Sequence, residues 1–115
     1  MQINKSKVGD VVIIELKGRL DNPGSEILEL YLNQIDPIID NSTGLKLILD
    51  FKNVEYISSA GFRVLMLTLT KLEKRSGSIA LCSLNKTTLE SFNISTFDKL
   101  FTITGSREEA LDLFN

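Results

Sequence analysis

The chain has 115 residues, enough for one domain with a single core and too few for two. Hydrophobic residues make up 43% and charged residues 24%, ordinary globular proportions that exclude a disordered chain. The net charge of −2, with basic residues scattered and never gathered into a run, argues against a protein that binds the nucleic-acid backbone.

One cysteine, Cys82, leaves no internal disulfide to form, so no oxidising compartment is required. The opening MQINKSKVGD lacks the apolar core and small-residue cleavage site of a signal peptide. No window approaches the ~18 uninterrupted apolar residues of a membrane span. The expected location is cytoplasmic, with no membrane partner and no direct nucleic-acid partner.

In chain order, Met1 to Lys7 can pair as an edge strand, with Val8-Gly9-Asp10 as its turn. Val11 to Leu20 is the first strong strand: Val12, Ile14 and Leu16 share one face, and Val11, Ile13, Glu15, Lys17 and Arg19 the other. Gly18 within or near its end suggests a bulge or a close backbone approach. In Asp21-Asn22-Pro23-Gly24-Ser25, either Asn22 caps a helix with Pro23 at its first position or Ser25 caps one beginning at Glu26. A helical stripe of Ile27, Leu28, Tyr31, Leu32, Ile35, Ile38 and Ile39 follows, with Pro37 kinking or shortening its last turn.

Leu45, Leu47, Leu49 and Phe51 alternate with Lys46, Ile48 and Asp50, which reads as a strand; a short extended run leads on to Tyr56-Ile57-Ser58-Ser59-Ala60-Gly61. Beyond that hinge, Phe62, Leu65, Met66, Leu69 and Leu72 recur at helical spacing. Glu73-Lys74-Arg75-Ser76-Gly77 reads as a helix end, with Gly77 available for the left-handed conformation. Ser78 to Leu84 is a short buried strand holding Cys82, and Asn85 caps a brief helix through Leu89 and Phe92. Asn93 to Lys99 reads as a loop and Leu100 to Ile103 as a last short strand. Ser106 to Glu109 has the form of a capping box, opening a helix anchored by Ala110, Leu111 and Phe114. The alternation of strands and helices predicts an α/β single domain over residues 1–115 with a mixed, largely parallel sheet.

The chain contains no histidine, which removes the usual general base and the commonest transition-metal ligand. Cys82 in an apolar strand reads as a core residue rather than a nucleophile. No dinucleotide fingerprint or phosphate-binding loop is present. Asp21 and Asp50 each end a strand, where turn or capping contacts are their ordinary role and a hydrolytic or metal role the alternative. A non-enzymatic protein is expected, with no catalytic residue, no metal site and no cofactor.

The serine pair is where the sequence suggests chemistry. Ser59 falls at or just before the first turn of a helix, where unpaired N–H groups and the positive end of the dipole tolerate a phosphate. The competing reading is that Ser58 or Ser59 simply caps the helix.

LILDFKNVEYISSAGFRVLM, residues 47–66, resembles the central motif of STAS domains of the bacterial anti-sigma-factor antagonist type. GRLD at residues 18–21 is similar to that family's turn before the first helix, and Ile103-Thr104-Gly105-Ser106 with Glu109-Ala110-Leu111 to its C-terminus. The resemblance implies a four- to five-stranded mixed sheet packed by helices, and a binding switch. The unphosphorylated domain would bind a serine-kinase anti-sigma factor and so release a sigma factor. Phosphorylation at Ser59, or at Ser58 as second candidate, would end the complex, and a serine phosphatase would reverse it. Ser58 stands where many members carry an acidic residue. By the same resemblance Asp21, Ser58, Ser59 and Gly61 mark the partner-binding surface, Gly61 permitting close approach. Phe62 and Met66 would be its apolar anchors if they face outward. The alternative is a STAS-type module that senses a small ligand or nucleotide, its phosphate cradled by the GRLD turn and the helix start, or a scaffold in a signalling assembly.

Overall fold

The period-two alternation in Val11 to Leu20 sets the two faces of the sheet. Val12, Ile14 and Leu16 point into the main core with Leu28, Leu65 and Phe92, all but Val12 fully buried. Val11 and Ile13 point the other way, into a smaller core with Ile48, Ala80, Cys82 and Ala110. These faces come from a computed structural model that describes residues 1–114.

Five strands lie in sequence order: β1 (Gln2–Val8), β2 (Val11–Leu20), β3 (Lys46–Ile57), β4 (Ser78–Cys82) and β5 (Thr102–Thr104). The β1–β2 hairpin is antiparallel and turns at Gly9, whose φ of 61° suits glycine. All other pairings are parallel, and each needs a crossover: α1 (Asn22–Leu30), α2 (Ser59–Lys74) and α3 (Lys86–Ser95) supply them. The terminal helix α4 (Arg107–Leu113) closes the smaller core, with Leu111 and Phe114 packed against it. The mixed, largely parallel architecture is the one the alternation predicts.

Several local expectations are corrected. The cap of α1 is neither Asn22 nor Ser25 but Asp21, which accepts from the Gly24 N–H at 2.8 Å. The stripe that follows runs into a single π turn at Tyr31–Ile35 and stops before Pro37, because a residue preceding proline avoids the helical region. Ile35 is 66% exposed and so is not core. β3 is one continuous strand to Ile57, which places Asp50 inside it and not at its end. Past α2 it is Ser76, at φ 57°, that turns left-handed. Gly77 is required for a different reason: a Cβ there would lie 2.8 Å from Leu72 Cδ2 and 3.0 Å from the Leu45 carbonyl. The expected loop from Asn93 is helix to Ser95 and a 3-10 turn at Phe97–Lys99. β5 accordingly starts at Thr102, later than Leu100. At Gly18 the bulge is present, as a register shift against β3 with φ 122°.

The smaller core is locked by a charged clamp. Arg107, in the first turn of α4, donates from Nε to Asp50 Oδ2 at 2.9 Å and from a terminal nitrogen to Glu15 Oε2 at 2.8 Å. Asp50 is 3% exposed, and its second oxygen accepts from the Lys52 N–H at 2.9 Å. Hydrogen bonding to Asp50 is the main reason the Arg107 pKa is raised. Removing one partner of a buried pair strands the other charge. Arg107→Ala is therefore expected to cost about 3 kcal/mol in urea unfolding, the low end for buried pairs because the arginine is partly exposed. A double Arg107→Leu, Asp50→Leu variant should recover most of that loss.

Cys82 is fully buried in the same core, and burial, with the nearby Asp50 charge adding, pushes its thiol up to about 11. A raised acid pKa means the folded state holds its proton more tightly. The thiol's contribution to stability is thus intact below its ordinary value of 9.0 and lost as pH rises toward 11. Iodoacetamide at pH 8 is expected to leave the folded protein unmodified and to label Cys82 once urea unfolds it, as read by mass spectrometry.

Candidate functional site

Helices α1 and α2 start the same way, each at the end of a parallel strand. In Asp21-Asn22-Pro23-Gly24 the first side chain accepts from the N–H of the fourth residue. In Ser58-Ser59-Ala60-Gly61 the Ser58 hydroxyl oxygen does the same for Gly61 at 3.4 Å. The glycine in each case lets the first turn sit tight on the strand end beneath. A Cβ on Gly24 would fall 1.9 Å from the Arg19 carbonyl oxygen; one on Gly61 would fall 2.6 Å from Ile57 Cγ1 and 3.0 Å from the Leu20 carbonyl oxygen.

Ser58 and Ser59 have different environments. Ser58 is the N-cap, extended at φ −99° and ψ 176°. Its N–H and its hydroxyl both donate to the Leu20 carbonyl, each at 2.9 Å. Ser59 is the first residue of α2 and is exposed. Nothing about the fold requires its hydroxyl as a cap, and the helix's positive end favours negative charge there.

The structure thus brings Asp21, Ser58, Ser59 and Gly61 together at the two helix heads. It gives Gly61 an internal role, seating the helix on the sheet, in place of the expected approach of a partner. Phe62 does not face outward: it is 9% exposed, with its ring 4.9 Å from Phe92 and 4.7 Å from Phe97. Met66 is partly buried against the main core. The outward residues of α2 in line with Ser59 are Arg63 and Leu67, one and two turns along, the latter 46% exposed. Arg63 bridges to Glu29 of α1 at 3.0 Å. Sequence reading passed over both, although their four-residue spacing from Ser59 carries the signal.

Between the helix heads lies a hollow of about 340 Å3 whose lining includes Asn22, Ser25, Glu26, Glu29, Ala60 and Arg63. Among the described residues no group of three His, Cys, Asp or Glu side chains is placed to hold a metal ion. No helix there is long and apolar enough to cross a membrane.

Residues 2–110 match the sequence profile described as the STAS domain. The chain is 33% identical over 115 residues to BtrV of Bordetella bronchiseptica, a proposed anti-sigma factor antagonist, spanning 99% of this chain and 95% of that protein. Its fold is similar to a crystal structure from Thermotoga maritima, also of a proposed anti-sigma factor antagonist, with TM-score 0.87, 22% identity, and coverage of 96% and 92%. It is likewise similar to SpoIIAA of Bacillus in its phosphorylated form, with TM-score 0.71, 22% identity, and coverage of 99% and 100%.

The two serines should respond differently to truncation. Ser58→Ala is expected to lower stability by about 1 kcal/mol, as loss of a cap does. Ser59→Ala should stay within about 0.5 kcal/mol of the parent, as exposed positions do. Gly61→Ala, forced against Ile57 and Leu20, should cost about 1–3 kcal/mol. Thermal melts of the three variants check the order.

Proposed function

The chain belongs to the STAS domain family, and from that membership and the exposed Ser59 we propose that it is an anti-sigma factor antagonist switched by phosphorylation. The observation that carries the reading is the division of labour at the head of α2: Ser58 holds the helix, which leaves Ser59 free to be modified. The name of the Bordetella relative supports the general role. A phosphorylated form of the Bacillus structural neighbour supports the chemistry.

In this reading the unmodified domain binds a serine-kinase anti-sigma factor through the surface around Asp21, Ser59, Arg63 and Leu67, and a sigma factor is released. The kinase then transfers the γ-phosphoryl group of ATP to Ser59 Oγ. The O–P bond forms as the bond from the γ-phosphorus to its bridging oxygen breaks, ADP leaves, and the serine proton passes to a base on the kinase. The new group brings about −1.5 to −2 charges. At the first position of α2 it meets the positive helix end and leaves the fold intact. In the interface it must be desolvated and faces partner carboxylates, and every 1.4 kcal/mol of that cost lowers affinity about tenfold. A serine phosphatase restores the hydroxyl. The phosphate-sensing alternative is opposed by the make-up of the hollow between the helix heads, whose lining holds two acidic residues, Glu26 and Glu29, against one basic residue, Arg63, already paired with Glu29.

Incubation with ATP and the anti-sigma kinase, followed by mass spectrometry, is expected to place the phosphate on Ser59. Ser59→Asp should bind that kinase at least tenfold more weakly than the parent, while Ser59→Ala stays bound in the presence of ATP. Phosphate found only at sites away from Ser59, or equal affinity of Ser59→Asp and the parent, would overturn the switch.

A further inference from the structure

Arg63 stands one turn beyond Ser59 on α2, and both are exposed. Residues four apart on a helix have Cβ atoms about 5–6 Å apart, and helical side chains lean toward the N-terminus. The turn that carries Ser59 is therefore within reach of the Arg63 guanidinium. In the unmodified protein Arg63 Nη1 donates instead to Glu29 Oε2 of α1, at 3.0 Å. We propose that a phosphate on Ser59 takes Arg63 from Glu29, so that one modification redraws the charge pattern of both helix heads. The proposal rests on the reading that Ser59 is the phosphorylated residue.

The bond to be given up is a weak one. Its two side chains are 63% and 33% exposed, and pairs so open to water add little to stability. It uses one terminal nitrogen, and Arg63 forms no other ion pair among the described residues. The bond to be gained is stronger. Phosphoserine offers three acceptor oxygens and about −1.5 to −2 charges. The planar arginine fork can meet two of those oxygens at once. An acid one turn before a base is also the favourable order along a helix, because the acid lies nearer the positive end of the dipole. Among the described residues lining the hollow between the helix heads, Arg63 is the only cation; Ala60, the neighbour of Ser59, belongs to the same lining.

The exchange alters α1 as well. Once Arg63 turns to the phosphate, Glu29 loses its ion-pair partner, and the lining is left with Glu26 and Glu29 uncompensated. A partner resting on both heads then meets the phosphate at α2 and uncovered acid at α1. The modification is read on a helix that does not carry it.

For the test, phosphoserine is built in at residue 59 of the full chain during translation. Followed by phosphorus NMR, the phosphate should bind its last proton at least roughly twofold more weakly in the parent than in Arg63→Gln, the size of an ion pair one helical turn apart. Arg63→Lys should fall between the two. The Nε–H signal of Arg63 should respond to Glu29→Gln in the unmodified protein and no longer do so in the phosphorylated one. Equal proton affinity of the phosphate in the parent and Arg63→Gln overturns the proposal. So does an Arg63 signal that responds to Glu29→Gln as strongly after phosphorylation as before it. Neither measurement depends on whether the anti-sigma kinase modifies Ser59, so failure of the exchange and failure of the switch are read apart.

Discussion

The carbonyl oxygen of Leu20 is the point on which the head of α2 depends. It accepts both the N–H and the hydroxyl of Ser58, which fills the two lone pairs a carbonyl offers. It also lies 3.0 Å from the place a Gly61 Cβ would take. One oxygen at the end of β2 thereby fixes the first turn of α2, and that turn fixes where Ser59 meets solvent. The head of α1 shares the cap and the close glycine: Asp21 accepts from the Gly24 N–H, and a Cβ on Gly24 would meet the Arg19 carbonyl. Two helices seated in this way present their first turns on one rim, each held by a side-chain cap and by a glycine pressed on a backbone carbonyl.

On the other face of the sheet the anchoring is ionic. Arg107 ties α4 to β3 through Asp50 and to β2 through Glu15, across a core much smaller than the main one. A seven-residue helix has little apolar surface of its own to hold it down. The clamp makes α4 part of the domain, and it costs the desolvation of Asp50. The rim of helix heads is therefore supported from beneath by packing and from behind by charge.

How much of this was legible in the sequence follows from how local each determinant is. Strand β2 and helix α2 announced themselves through periods of two and of three to four, and β4 through a short apolar run. The caps Asn85 and Ser106 stand alone before their helices and were readable, and each accepts from the N–H three residues on. At the head of α1, several polar residues compete within Asp21 to Ser25. The deciding fact there is Gly24 pressed on Arg19, a tertiary contact without a local sign. The direction of Phe62 was not readable from spacing alone, since a residue in the first turn can belong to either edge of the apolar stripe. Its place was decided by Phe92 and Phe97, both far along the chain. Arg107 and Asp50 are 57 residues apart, and nothing near either one names the other.

The position of Ser58 gains a physical meaning from its hydrogen bonds. The resembling family often carries an acidic residue there, and aspartate and serine are both strong N-caps, as Asp21 and Ser58 show in this chain. What the position requires is an oxygen that accepts from the N–H three residues on, and either residue supplies it. Phosphorylating Ser58 would convert its hydroxyl to an ester oxygen and remove the proton it donates to Leu20. It would lose a bond worth about 0.5–1.5 kcal/mol and force a bulky dianion into a partly buried junction. Ser59, one residue on, carries no such duty. A switch that must be written and erased without unfolding the helix it sits on belongs at the first helical residue, next to the cap and not on it.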